Sequence, residues 1–522
     1  MSKSFRGRLF AAMFMSVAPA ALAFPAAAET LADAIAMAYD SNPTLQSQRA
    51  VQRALDETYV QARTGWRPTL SLSAQTTYTE NRVPRVLRNG TLVDTNNDGV
   101  PDSTVPALGD GISERNTGNL GLNFSQPIWT GGRVAAAVSA AEADVMQGRE
   151  NLRRIESQVL GQVVQAYMDV RRDQEGVRIR NENVAVLKRQ LDESQARFDV
   201  GEITRTDVAL SQARYAQARS LSQSAVAQLA TSRANYAAVV GQNPGQLAPE
   251  PSLAYLLPAS ADEAFTVAEQ YSPLLRSQQF AEQASRTRVA GARAERMPQV
   301  SVRATLGYSG QVTPFDQGRV PTTIQGVASV TVPLFNGGLT SSRIRQAIER
   351  NNADRINIET QRRAVLQTIT QSWNQLIAQR ANIDSTAESV RAAQIAAEGT
   401  RQEQQVGLRT TLDVLNAEQE LRNSELSAVS AVHDEYIAAS TVLSAMGRLE
   451  AKNLIPVVPQ YDAKSNFRKL RIGVGWVPWE EPISIIDRLL AAPPAPLAVD
   501  KPVEKPIPPG LQPPPAVPVS RK

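Results

Sequence analysis

The chain has 522 residues, contains no cysteine and has one histidine, His433. Without cysteine there are no disulfides, thiolate metal sites, cysteine nucleophiles or lipid-bearing N-terminal cysteine. No Ser/His/Asp set or pair of carboxylates stands out from the sequence. Aromatic residues are scarce at 5%, and Ala, Gln, Arg, Val and Ser dominate the middle of the chain. This composition favours long exposed helices over a compact enzyme, so we expect no catalytic activity, cofactor or metal.

Long apolar runs are also missing. The basic residues Lys3, Arg6 and Arg8, a short apolar stretch and the alanines at 26–28 predict a signal peptide at 1–28. Its cleavage would remove three positive charges from a net charge of +4, so the basic isoelectric point does not indicate nucleic-acid binding. No later stretch approaches the roughly 18–20 apolar residues of a membrane helix. The exported chain is then expected to be either soluble or a membrane β-barrel.

A motif of proline, an apolar residue, an aromatic residue and Gly-Gly occurs twice, as QPIWTGGRV and TVPLFNGGLT. Its prolines, Pro127 and Pro333, are 206 residues apart, whereas the earlier landmarks Pro68 and Pro298 are 230 apart. Constant offsets over long stretches indicate an internal duplication. The difference of 24 residues is an insertion in the first half only, placed by the landmarks in the polar loop before Pro127.

Each half contains two segments in which apolar and polar residues alternate, at about 68–80, 117–128, 298–309 and 323–334. This alternation fits membrane β-strands, and equally a strand of a soluble sandwich. After each Gly-Gly, apolar residues recur at spacings of three and four without proline. The pattern predicts long coiled-coil-like helices at about 132–199 and 338–405, followed by returning helices at about 205–241 and 411–447.

The expected organisation is therefore two repeats, at 29–242 and 271–448. A linker or equatorial segment lies between them at 243–270, an equatorial or C-terminal segment follows at 449–490, and a disordered proline-rich tail occupies 491–522. The polar loop DTNNDGVPD resembles the start of a calcium loop but lacks the glutamate and the flanking helices, so an ordinary surface loop is expected. The role of residues 454–488 is left open.

Prolines and glycines mark where strands meet helices. Proline cannot donate to a β-ladder, which places it at strand ends, and paired glycines let the backbone turn into a helix. The predicted strand–helix joints are Pro68, Pro127, Gly131, Gly132, Pro298, Pro333, Gly337 and Gly338.

The segments RFDVGEITRTDV and EQQVGLRTTLDV are also 206 residues apart and mark the reversal between each long helix and the helix that returns. Gly201 and Gly407 are predicted to be helix C-caps in tight turns. Four strands per chain are too few for a spanning barrel, because an open sheet would leave unpaired edges in lipid. Several chains must therefore share one barrel.

The repeat, the P-x-[FW]-x-G-G joints, NPTLQSQ and the paired VGxxTxxDV turns resemble the TolC family of outer-membrane channels. The resemblance implies a mixed α/β homotrimer: one twelve-stranded barrel in outer-membrane lipid, a long α-helical periplasmic barrel and an equatorial belt. It further implies a periplasmic adaptor and an inner-membrane transporter of ABC or RND type as partners. The implied cargo is protein, by type I secretion, or small toxic compounds, and the sequence does not separate the two. The missing N-terminal cysteine matches the non-lipidated, secretion-type branch.

The same resemblance implies functional residues at the turns. Asp413 matches an acidic ring of the periplasmic gate, the second ring position is Asn416, Arg409 and Asp207 match a pair that tethers the tips, and Gln404 replaces a gate tyrosine. Adaptor contact is implied for Val200, Gly201, Thr204, Val406, Gly407, Leu408 and Thr410. The alternative is that the two aspartates only cap helices. A soluble periplasmic or surface coiled-coil scaffold or adhesin is the competing function.

Overall fold

The computed structural model describes residues 28–82, 92–104, 112–311, 321–456, 458–470, 473 and 475–491. Almost all of the predicted signal peptide and of the proline-rich tail lies outside the described residues. The chain begins with two short helices, α1 (Leu31–Ser41) and α2 (Pro43–Arg63), and enters the first strand through a 3₁₀ turn at Thr64–Trp66.

Four strands form one antiparallel sheet in the order β1-β4-β5-β6. Their bounds are β1 (Thr69–Arg82), β4 (Ile112–Trp129), β5 (Gln299–Gln311) and β6 (Thr322–Thr331). The short strands β2 (Leu92–Val93) and β3 (Ser103–Thr104) pair with each other within the insertion. The four predicted strands are therefore present, and the first three extend further at the loop end than the alternation indicated.

The register of the sheet follows the internal duplication of the sequence. Thr69 of β1 lies opposite Ser125 of β4, and Gln299 of β5 lies opposite Thr331 of β6. The two pairs are related by the offsets of 230 and 206 residues seen in the sequence. Each half thus contributes one β-hairpin of the same register, and the hairpins meet where β4 pairs with β5.

The proline positions differ from the prediction that they end the strands. Pro127 lies inside β4, opposite Ser301, where the register shifts between Pro127 and Trp129. A bulge leaves a residue out of the ladder and so tolerates a residue without an N–H. Pro333 lies beyond the last residue of β6, Thr331. Strand starts agree better with the prediction, since β1 and β5 begin directly after Pro68 and Pro298.

Two long helices dominate the chain, α3 (Arg133–Asp199) and α7 (Leu339–Gln405), each of 67 residues. At a rise of 1.5 Å per residue each is about 100 Å long. The other helices are α4 (Arg205–Val240), α5 (Ala261–Tyr271), α6 (Pro273–Ala294), α8 (Thr411–Ala445), α9 (Ala451–Leu454), α10 (Ala463–Leu470) and α11 (Glu480–Leu489). Over the described ranges, none of these helices combines the length and apolarity needed to cross a membrane.

The helices pack side by side below the sheet. The long helices α3 and α7 pair with α4 and α8, and at the sheet end α2, α3, α6 and α7 lie next to one another in that order. The main core surrounds the middle of α3, where α1, α4, α5 and α8 contribute buried residues. There the hydroxyl of Tyr167 donates to the Ala248 carbonyl at 2.6 Å, and that of Tyr236 donates to Glu29 at 2.5 Å. This core fixes the helical shaft midway between the sheet and the tips.

Candidate functional site

The turn between α3 and α4, the first tip (199–205), is a tight reversal. Gly201 adopts φ = 79°, a left-handed conformation that favours glycine, and its N–H donates to the Phe198 carbonyl at 2.9 Å. Thr204 and Asp207 then form a capping box. The Asp207 N–H donates to Thr204 Oγ1 at 3.3 Å, and the Thr204 N–H donates to Asp207 Oδ2 at 3.1 Å. These contacts order the turn without help from another element.

The turn between α7 and α8, the second tip (405–411), repeats this geometry. Gly407 has φ = 81°, and its N–H donates to the Gln404 carbonyl at 3.0 Å. Thr410 and Asp413 form the capping box, with Thr410 N–H to Asp413 Oδ2 at 3.0 Å. Hydrogen bonds from the Thr410 side chain and backbone lower the pKa of Asp413, so its negative charge persists at acidic pH. Asp413 is therefore part of the capping box of α8. This role is compatible with a position facing a pore.

The predicted tether between Arg409 and Asp207 is not made within one chain. In the described part of the chain Arg409 donates to Glu403 Oε2 at 2.8 Å, whereas Asp207 bonds to Thr204. Arg409 and Glu403 flank the same turn, which brings them together locally. A contact between Arg409 and Asp207 of different subunits stays a prediction.

Other residues join the two helical pairs near the tips. Arg214 of α4 donates to Asn416 Oδ1 of α8, with Nη2 and Oδ1 3.2 Å apart. Beside this contact, Leu415 of α8 packs in a small buried cluster with Leu187 and Ala218. Asn416, predicted as the second gate position, thus connects α8 to the first helical pair. Arg214 was not predicted as a functional residue, because an arginine on a helix usually lies on a solvated face.

The two tips expose apolar side chains. Val200 is 79% exposed, Val406 is 71% exposed and Leu408 is 76% exposed. Gln404, by contrast, is buried against its own helical pair. Exposed apolar residues at the end of a long polar shaft mark a surface that another protein can cover.

The sheet has one apolar and one polar face. Leu72, Leu122, Leu306 and Ile324 lie opposite one another across the four strands, and all are exposed in the single chain. The neighbouring row on the other face contains Ser71, Asn123, Thr305 and Gln325. Such a division suits a wall between lipid and a water-filled lumen. Among the described residues, the outer edges of β1 and β6 pair with no further strand.

The first joint (127–132) turns the chain from β4 into α3. Gly131 and Gly132 have φ = 68° and 86°, a left-handed conformation that favours glycine, where the chain passes from β4 into α3. The N-cap residue of α3, Gly132, has no side chain that could cap the helix. Instead, the buried carboxylate of Asp487 in α11 accepts hydrogen bonds from the backbone N–H groups of Gly132 at 3.0 Å and Ala135 at 3.2 Å. No sequence pattern near Asp487 indicates this distant cap.

Two buried arginines just before β1 donate hydrogen bonds to α11. Glu480 is fully buried and accepts from Arg63 Nε at 2.7 Å and from Arg67 Nε at 2.9 Å. In addition, the indole N–H of Trp66 donates to Asp487 at 3.1 Å. A buried carboxylate is stable only when paired in this way. Helix α11 of the C-terminal segment therefore lies at the strand–helix boundary.

The second joint (333–338) has the same backbone but different surroundings. Gly337 and Gly338 have φ = 64° and 83°. Within the described residues of one chain, no atom comes within 4 Å of a Cβ built on either glycine. The second joint is thus exposed where the first is covered.

A sheet with an exposed apolar face and two free edges, continued by helices of 67 residues with apolar tips, defines a subunit of an outer-membrane channel. The family model for "Outer membrane efflux protein" matches residues 34–242 and 266–448. The chain belongs to this family, and the resemblance to the TolC family is confirmed. Channels of the family are homotrimers that work with adaptors and inner-membrane pumps.

Individual relatives agree with this membership. The chain is 33% identical to the outer membrane efflux protein BepC of Brucella suis over 446 residues, which cover 85% of this chain and 91% of BepC. It is 27% identical to the alkaline protease secretion protein AprF of Pseudomonas aeruginosa over 304 residues, which cover 57% of this chain and 63% of AprF. The crystal structure of the Campylobacter jejuni CmeC outer membrane channel has the same fold, with a TM-score of 0.68, 15% identity and coverage of 85% and 89% of the two chains. The protein is an outer-membrane exit duct, and a soluble scaffold or adhesin is not favoured.

Proposed function

We propose that three copies of this chain close a common β-barrel and helical duct through which cargo leaves the periplasm. The two free edges of the sheet support this arrangement, because an open edge in lipid leaves backbone groups without hydrogen bonds. Pairing β6 of one subunit with β1 of the next removes both edges.

The internal repeat specifies the register of this pairing. Phe124 of β4 lies opposite Ala304 of β5. The equivalent residues are Val330 in β6 and Ala74 in β1, at offsets of 206 and 230 residues. We therefore expect Val330 of one subunit to lie opposite Ala74 of its neighbour. The apolar rows of the three sheets would then form a continuous lipid-facing band.

The exposed apolar tips are the surface that we assign to a periplasmic adaptor. The adaptor-facing residues proposed are Val200, Gly201, Thr204, Val406, Gly407, Leu408 and Thr410. The adaptor would connect the duct to an inner-membrane transporter of ABC or RND type. The likeness to AprF favours polypeptide cargo, and the likeness to BepC favours small compounds.

The second tip is proposed as the gate. Three copies of Asp413 around one axis would place like charges close together and favour cations over anions. Asn416 lies on the same helix one turn further on, where its hydrogen bond from Arg214 holds α8 to the first helical pair. In this proposal Asp413 sets the charge of the constriction and Asn416 sets the resting position of the helix that carries it.

A deletion strain tests the proposed transport directly. The strain, and the same strain complemented with the wild-type gene, are assayed in parallel for sensitivity to toxic compounds and for proteins in the culture medium. Loss of either activity, restored by complementation, supports the duct and identifies its cargo class. A deletion strain unchanged in both assays contradicts the proposal.

A further inference from the structure

The two joints carry the same motif but differ in burial. In the first joint Ile128 and Trp129 are partly buried. Their equivalents in the second joint, Leu334 and Phe335, are 92% and 89% exposed. Two adjacent large apolar side chains this exposed lie at the boundary of a membrane protein only if something else covers them. The elements that cover the first joint indicate which elements would have to cover the second joint.

Two elements cover the first joint. Met297, just before β5, lies against Gly131 so closely that a Cβ on that glycine would collide with the Met297 Cβ. Helix α11 covers the other side through Asp487. Met297 reaches the joint because β5 is the strand paired with β4. The residue that precedes the neighbouring strand therefore covers the joint.

The strand expected beside β6 is β1 of the next subunit. Its preceding residue is Arg67, which stands before Pro68 as Met297 stands before Pro298. The repeat thus places the neighbouring subunit's Arg67 against Gly337, as Met297 is placed against Gly131. This step rests on the trimer of the proposed function.

Arg67 contacts the C-terminal segment (475–491), so this segment would lie beside the same joint. Its Nε donates to Glu480 Oε2 at 2.9 Å, and its Nη1 would lie 3.3 Å from a Cβ on Gly475. The two tryptophans between these contacts, Trp476 and Trp479, are 40% and 46% exposed. The match to the family model ends at residue 448, before this segment begins.

We propose that the C-terminal segment is a clasp between subunits. Its Asp487 caps α3 of its own chain, and its exposed tryptophans cover Leu334 and Phe335 of the neighbouring subunit. The occupant of the bare second joint is thus a second copy of this chain. Leu334 and Phe335 follow the end of β6, and the C-terminal segment contacts Arg67 just before β1, so both lie next to the edge strands that meet in the trimer.

The absence of cysteine permits a direct test by disulfide cross-linking. The double variant Phe335→Cys/Trp476→Cys is oxidised in outer membranes and separated by SDS gel electrophoresis without reductant. The matched control is Ala74→Cys/Val330→Cys, which reports the meeting of β1 and β6. Each single-cysteine variant is run alongside to identify links between identical positions.

The clasp predicts that both double variants lose the monomer band on oxidation and that reductant restores it, while the single variants do not. If the strand pair cross-links but the 335/476 pair stays monomeric, the trimer exists and the clasp is wrong. If neither pair cross-links and the extracted protein is monomeric, the proposed trimer fails as well. Cross-linking of the Phe335→Cys single variant to the same extent as the double variant also overturns the clasp.

Discussion

The Oδ1 atom of Asp487 lies 2.8 Å from the backbone nitrogen of Thr130, although 357 residues separate them in the chain. The same carboxylate accepts from the N–H groups of Gly132 and Ala135 in the first turn of α3. The first turn of a helix has N–H groups without partners and carries partial positive charge. Asp487 satisfies these groups from a separate helix and so joins the end of the chain to the strand–helix boundary.

We predict that Asp487→Ala lowers the free energy of unfolding in detergent by about 2–3 kcal/mol, because it leaves buried donors without their charged acceptor. Urea unfolding followed by tryptophan fluorescence measures the change. Glu481→Gln is the matched control, since Glu481 lies on the same helix with its side chain 59% exposed. Equal effects of the two substitutions would show that Asp487 has no special capping role.

Asp413→Asn is predicted to reduce the cation preference of the channel in planar bilayers, because it removes the charge proposed for the gate. Asp384→Asn is the control for loss of a negative charge, since Asp384 lies at an exposed position of α7. The depressed pKa of Asp413 predicts that the wild-type preference persists below the usual titration range of aspartate. Identical behaviour of the two variants would leave Asp413 as a cap only.

Arg214→Ala is predicted to raise the conductance of the closed channel, because it removes the hydrogen bond that connects α4 to Asn416 of α8. Arg189→Ala, at an exposed position of α3, serves as the control for loss of a positive charge. Single-channel recordings at the same voltage and salt concentration compare the variants. A conductance unchanged by Arg214→Ala would remove this contact from the gate.

Stability is predicted to depend on pH through His433. Burial alone would lower its pKa, but hydrogen bonds to Asp169 at 2.9 Å and Asp434 at 2.8 Å outweigh burial and raise the pKa. The protonated histidine therefore contributes stability fully below pH about 6.5, the ordinary histidine value, and this contribution is lost as pH rises through the folded-state pKa.

The measurement is thermal unfolding of wild type and His433→Gln over a pH series. The wild type is expected to have its largest advantage at acidic pH and to lose it as the pH rises. An advantage that is constant with pH, or that grows toward alkaline pH, would contradict the assignment of a raised pKa to this residue.

Much of the fold could be predicted because the internal duplication provides each structural signal in two copies. The motifs that contain Pro127 and Pro333 lie near the passages from strand to helix, and Gly201 and Gly407 lie at the two tips. Periodicity gave the long helices, since a pattern over 67 residues averages out local exceptions.

The rest could not be predicted because it depends on contacts between distant residues. Nothing in the segment around Asp487 marks it as the cap of α3, since its partners are backbone groups far away in sequence. The bulge at Pro127 depends on pairing with β5. Within one chain Arg409 contacts Glu403 and not the expected partner, Asp207. The turn motif does not indicate this local contact.

The proposed channel forms only if incomplete sheets join between subunits, so the number of chains in the extracted particle is the decisive quantity. Native mass spectrometry of protein extracted from outer membranes in mild detergent gives this number without a reporter. We expect three chains per particle. A particle containing one chain would show that the sheets do not join.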